Sequence, residues 1–140
     1  MSTTHEIRLT ESDVARLERA LLELLQRSDE EPNGAAELEM LLDSAAIVPS
    51  ASIDPQVVTM NSTVVLESRP SLERTTLTLV YPKEADVDRS RVSVLSPVGR
   101  KLLGARVGDT LRVIVPGHGE REFRVAELPF QPEAHGRFDL

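Results

Sequence analysis

Residues 92–110 read VSVLSPVGRKLLGARVGDT, and the rest of the chain reads as support for this stretch. Val92, Val94 and Leu95 begin it as a short apolar strand, with Ser93 on the opposite face. Ser96-Pro97 ends that strand, because proline has no N–H to give to a ladder and fixes its own φ. Pro97 suits the first position of a new helix, with Ser96 as its N-cap. Val98, Leu102 and Leu103 follow at helical spacing, and Gly104 supplies the stop. Val107-Gly108-Asp109 then turns the chain into a fresh β run at 111–115. Taken as residues alone, this is a strand, a capped short helix, a glycine turn and a strand inside an α+β domain.

The chain has 140 residues, enough for one full domain and an appendage with a modest core. It has no cysteine, which removes disulfides, thiol catalysis and thiolate metal sites. No apolar run is long enough for a membrane span, and residues 1–8 lack an apolar signal region, so neither membrane nor secretion is expected. The net charge of −7 is unevenly placed: residues 1–50 hold four Arg against eleven Asp and Glu, and residues 51–140 hold twelve of each sign. An end so acidic should avoid phosphate backbones, so direct nucleic-acid binding is not expected.

Residues 1–50 read as a helical hairpin. Thr10 caps a first helix over 11–27, with Asp13 three residues on as in a capping box. Val14, Leu17, Leu21 and Leu24 recur on one face, widened by Leu22 and Leu25. Residues 28–34 (SDEEPNG) break the pattern, and a weaker helix follows over 36–47, with Leu38, Leu41, Leu42 and Ala45 on one face. Residues 48–54 read as a linker.

Residues 51–140 alternate β runs with turns: 63–67, 75–81, 92–95, 111–115 and 122–128, with a tail from about 129. Leu77, Leu79 and Tyr81 point one way, Thr76, Thr78 and Val80 the other. Hairpins of this kind with one short helix give an α+β domain with a mainly antiparallel sheet.

The segment SPVGRKLLGARVGD resembles the same strand–helix–turn in the carboxy-terminal domain of the bacterial Gre transcript-cleavage factors. A wider resemblance is to the Rnk-type regulators of nucleoside diphosphate kinase, smaller relatives of the Gre factors. It is carried by residues 57–62 (VVTMNS), 76–82 (TLTLVYP), 96–109 and 130–134 (FQPEA), and spans most of 57–140. The resemblance implies an FKBP-like domain behind a short coiled-coil hairpin. It also implies a cytoplasmic, monomeric transcription regulator that binds RNA polymerase near its secondary channel. Such a protein would compete with Gre factors without stimulating cleavage, and would influence nucleoside diphosphate kinase indirectly.

The resemblance points to Ser96, Pro97, Val98, Gly99 and Arg100 as the polymerase dock. Leu95 departs from the Gre pattern, which has Asp or Asn before Ser-Pro. Ser96 and Pro97 also read simply as a cap and a helix start, and both readings stand. In Gre factors an acidic hairpin tip helps hold a catalytic Mg²⁺, for which carboxylates are apt ligands. Here the tip is Asp29, Glu30 and Glu31. A helix of about seventeen residues spans only ~25 Å, so occupancy without cleavage is expected. A weak Gre-like cleavage factor and a binding module for another protein remain the alternatives.

Other chemistries find little support. A prolyl isomerase pocket needs several aromatics, and the chain has no Trp and only Tyr81, Phe123, Phe130 and Phe138. His5, His118 and His135 have no partner at metal-ligand spacing. There is no P-loop, dinucleotide fingerprint or nucleophile elbow. The expectation is a protein that is not an enzyme, with no cofactor and no metal.

Overall fold

The alternating run at 75–81 supplies an interior strand of the sheet, paired on both sides. The computed structural model describes residues 7–27, 34–115, 117, 119–137 and 140. The chain opens with β1 (Arg8–Thr10), α1 (Glu11–Arg27), α2 (Ala35–Ser44) and β2 (Ala46–Val48). β3 (Thr63–Arg69), β4 (Arg74–Val80), β5 (Arg91–Ser93), α3 (Pro97–Leu102), β6 (Thr110–Val115) and β7 (Gly119–Phe130) follow. The last five strands make one sheet in the order β5-β4-β3-β7-β6. Its β4–β5 pair is parallel and the other three pairs are antiparallel, which gives the expected α+β class with an antiparallel-rich sheet.

Leu77 and Leu79 are buried, while Thr76 and Thr78 are not, as alternation requires. Val64 and Leu66 of β3, Val113 of β6 and Val125 of β7 complete that face. The helices close over it. Leu9, Val14, Leu17 and Leu21, with Leu38 and Leu42 of α2, share one apolar cluster with Val58, Met60, Leu79 and Leu102. Residues from both halves of the chain therefore fill the same core. Burying a leucine of this kind contributes ~2 kcal/mol before the entropy of ordering it.

Three local readings change. The second helix ends at Ser44 and not at 47, because Ala46–Val48 pairs in parallel with Arg8–Thr10. The Ala46 N–H donates to the Ile7 carbonyl at 2.8 Å, so the chain has left the helical ladder there. Residues 48–54 are not a free linker: Ser50–Ser52 is a 3₁₀ turn, Ser50 Oγ bonds Ser12 Oγ at 3.1 Å, and Ile53 is buried. Leu22 and Leu25 do not widen the buried stripe of α1. They are exposed, beside a shallow groove shared with Leu42 of α2.

Candidate docking site

The corner between β5 and α3 is built by hydrogen bonds among near neighbours. Ser96 caps α3: its Oγ accepts the Gly99 N–H at 3.0 Å and donates to the Ser93 carbonyl at 2.7 Å. Pro97 occupies the first helical turn, where a missing N–H costs nothing. Gly99 is buried, and a Cβ there would collide with the Ser93 carbonyl, so the residue is fixed by close backbone approach. Val98 packs on the core. Arg100 turns back, and its guanidinium donates to the Leu95 carbonyl.

Beyond α3 the chain is stapled to the 54–58 segment. Gly104 N–H donates to the Val58 carbonyl (2.9 Å) and Val58 N–H to the Ala105 carbonyl (2.8 Å). Arg106 reaches Asp54 at 3.1 Å. The Gln56 N–H, followed by Arg106, holds the Asp54 carboxyl below the usual range.

Of the five expected docking residues, Pro97 and Arg100 line a groove of about 620 Å³, together with Lys101. Gly99 is buried and Val98 packs on the core, so neither lines the groove. The groove continues past Leu103 to β6, and Ile7, Glu37 and Leu41 close its far side. The start of α2 sits on this corner: a Cβ at Gly34 would collide with the Arg100 guanidinium and the Leu95 carbonyl. Asp29, Glu30 and Glu31 lie outside the described residues, as do His5, His118 and Phe138. Phe130 stacks on the exposed His135 with ring centres 4.9 Å apart, which anchors the tail locally.

A second polar centre was not expected. Asp13, read from sequence as a capping-box residue, is buried. Its own N–H donates to Thr10 Oγ1 (3.1 Å), as a cap predicts, but its carboxylate crosses to the sheet domain and accepts the Met60 N–H at 3.0 Å. Its other oxygen is buried with no hydrogen-bond partner among the described residues. Burial raises the Asp13 pKa to about 7, and the charge of Glu133 adds to this against the Met60 bond and Arg16. Burial, then the Asp13 charge, also pushes the Tyr81 hydroxyl up. One signal was available in the sequence: Asp13 stands four residues before Leu17 and eight before Leu21, on the line of the buried stripe.

The four stretches that carry the resemblance meet here. Thr59 Oγ1 donates to Glu133 (2.7 Å), and Thr59 N–H to Ser62 Oγ (3.0 Å). Gln131 Nε2 donates to the Val57 carbonyl at 2.7 Å, and Leu79 N–H to the Ser62 carbonyl at 3.0 Å. With the Val58–Ala105 bond, residues 57–62 bridge β4, the α3 turn and the tail. Among the described residues no group of three or more His, Cys, Asp or Glu is arranged to hold a metal ion, and no helix is long and apolar enough to cross a membrane.

Comparison with known proteins agrees with this architecture. The chain is 39% identical over 99 residues to the regulator of nucleoside diphosphate kinase of Escherichia coli K12, covering 71% of this chain and 73% of that protein. It is 35% identical over 94 residues to transcription elongation factor GreA of Mesorhizobium japonicum, covering 67% of this chain and 59% of GreA. The solved GreA/GreB elongation factor from Nitrosomonas europaea superposes with a TM-score of 0.74 at 39% identity, over 89% of this chain and 100% of that one. Residues 53–129, from the Asp54 staple to the end of β7, match the model of the carboxy-terminal domain of transcription elongation factors GreA and GreB, and the chain belongs to that GreA/GreB family.

Proposed function

We propose that this protein is a non-enzymatic transcription regulator that binds RNA polymerase at the rim of its secondary channel and competes there with Gre factors. The observation that carries the reading is the Ser96–Arg100 corner: a rigid, capped turn that presents Pro97, Arg100 and Lys101 at the mouth of an apolar groove. Membership of the GreA/GreB family supports RNA polymerase as the partner. In this reading the sheet domain is FKBP-like, the protein acts in the cytoplasm as a monomer, and any effect on nucleoside diphosphate kinase passes through transcription. No nucleic acid is contacted directly. The acidic helical layer faces the channel and occupies its mouth.

Occupancy without cleavage follows from reach. α1 has 17 residues, and its apolar face is committed to the core of its own sheet domain. At ~1.5 Å per residue it is ~25 Å long, too short to carry a metal-holding tip deep into a channel. The second reading, a weak cleavage factor using Asp29, Glu30 and Glu31, is favoured by that run of carboxylates between the two helices.

A competition titration separates the two. Core polymerase carrying a fluorescent Gre factor is mixed with this protein or with a Ser96→Asp/Pro97→Ala variant, and transcript cleavage is followed on a backtracked complex. The proposal expects the native chain to displace the probe, the variant to fail, and no cleavage without Gre factor. Cleavage that an Asp29/Glu30/Glu31 triple alanine abolishes would establish the second reading. Failure to displace the probe at a large excess would reduce the likeness to one of fold.

A further inference from the structure

The two edges of the sheet are finished differently. β5 has three residues, and its outer side is occupied: Asp86 and Arg91 exchange backbone hydrogen bonds of 3.0 and 2.9 Å. β6 has six residues, and among the described residues its only strand partner is β7. Sheets usually blunt such an edge with proline, lysine, a bulge or a covering element. Thr110–Val115 reads TLRVIV, with neither proline nor lysine; its one charged residue, Arg112, leans on Glu122 of β7 at 3.4 Å, and its Ile114 is 75% exposed.

The register says which backbone groups face away from β7. The Asp109 carbonyl accepts the Val125 N–H at 2.9 Å, and the ladder continues through Leu111 opposite Phe123 and Val113 opposite Arg121. In an antiparallel pair alternate residues exchange both bonds with the partner strand. The N–H and C=O groups of Thr110, Arg112 and Ile114 therefore face away from β7.

The 620 Å³ groove lies along this row. It touches Leu111, Arg112, Val113 and Ile114, four successive residues whose side chains alternate in direction, so it takes in the open backbone between them. Pro97 and Leu103 form the opposite wall. Four cations line it, Arg100, Lys101, Arg106 and Arg112, against two anions, Glu37 and Asp109. Arg106 is paired with Asp54, Arg112 with Glu122 at 3.4 Å, and Arg100 donates to the Leu95 carbonyl, which leaves the exposed Lys101 as the cation most open to a ligand.

We propose that the β6 edge receives an extended, acidic segment of another protein as a sixth strand. Alternate apolar side chains of that segment enter the groove, and its carboxylates meet the basic rim. A strand fits better than a helix because the edge offers main-chain donors and acceptors in a row, and β-addition is the recognition mode that uses them. A second copy of this chain fits worse, since edge-to-edge pairing would bring the same four cations together from both sides. The proposal does not require the partner to be polymerase, and its test uses none.

The probe is a capped peptide of about ten residues alternating Glu and Val, with a Lys-for-Glu version as control. Each is titrated into the full isotope-labelled chain, and amide hydrogen exchange is read residue by residue. The expected result is saturable binding of the Glu peptide, exchange at the Thr110, Arg112 and Ile114 amides slowed about tenfold or more, and binding of the Lys peptide about tenfold weaker. Ile114→Pro removes one outward N–H at an edge position that tolerates proline, and should abolish binding. Lys101→Glu, an exposed change remote from the core, should weaken binding several-fold and keeps the test decisive if Ile114→Pro does not fold. Unchanged exchange at those three amides under saturating peptide, equal binding of the two peptides, or native-like binding by a folded Ile114→Pro would overturn the proposal. So would protection of the same amides that rises with protein concentration alone, which would identify a second copy as the occupant.

Discussion

The Ser96–Arg100 corner and the helical layer rest on the same sheet but are held by different forces. Every bond that shapes the corner runs between residues at most five apart: Ser93 to Ser96, Ser96 to Gly99, Leu95 to Arg100. The layer is held across the chain. Leu17 and Leu38 bury their side chains among Met60 and Leu79, and Asp13 bonds Met60, 47 residues away. Its outer end adds the exposed Lys83–Glu23 ion pair at 2.9 Å, which contributes ~0–1 kcal/mol. The corner's hydrogen bonds are its own, and the layer touches it only where the start of α2 rests on Arg100 and Leu95. A layer held by burial stays closed only while its core contacts are intact.

The sharpest way to break that contrast is to empty the layer's anchor. Leu17 is fully buried where α1 crosses the core. Leu17→Ala is expected to lower the unfolding free energy by ~3–4 kcal/mol in a denaturant titration, because the cavity is walled by both helices and sheet. A single cooperative transition should persist at the lower midpoint. A hairpin that merely hangs from the domain would instead give a small loss, or an early separate transition of the helices.

The next effect comes from Asp13. Its folded pKa, about 7, lies above the ordinary 3.8, so between these values the native protein holds a proton that the unfolded chain has lost. Stability then falls as pH rises from about 4 to about 7, and the low-pH side of that window is the stable one. Asp13→Asn keeps an oxygen for the Met60 N–H and removes the titration. The difference between native and variant unfolding free energies should therefore drift by ~3–4 kcal/mol across the window. A flat difference would mean that water or a counter-charge reaches the carboxylate and that the layer is looser than its burial implies.

The same contrast explains what the sequence could show. The cap at Ser96, the start at Pro97, the stop near Gly104 and the alternation of Leu77 and Leu79 are short-range facts, and all appear where residue patterns place them. The cap at Thr10 does too, since the Asp13 N–H reaches its hydroxyl. What failed was long-range. Ala46 and Ile47 looked helical, and Val48 looked like linker, because their strand partner, Arg8–Thr10, lies some forty residues away. Asp13 looked like a surface cap because nothing near it in sequence announces Met60. Leu22 and Leu25 fit the helical period equally well, yet only Val14, Leu17 and Leu21 meet the sheet. At the site, Gly99 sat in the right motif, but its reason, the Ser93 carbonyl pressed against it, belongs to packing and not to periodicity.

The smallest expected effect tests whether the corner is local. Ser96→Ala removes the acceptor for the Gly99 N–H and the donor to the Ser93 carbonyl, leaving a buried glycine amide without its cap. Losses of this kind are ~1 kcal/mol, and Ser96→Thr, which keeps a hydroxyl, should recover most of it. Far-ultraviolet circular dichroism should hardly change, since α1 and α2 do not depend on this bond. The pH dependence set by Asp13 should also survive intact, because no bond of the corner reaches the Met60 segment. If Ser96→Ala flattened that pH dependence, or cost as much as Leu17→Ala, the corner and the layer would be one cooperative unit. Polymerase competition would then report the state of the helices as much as the shape of the dock.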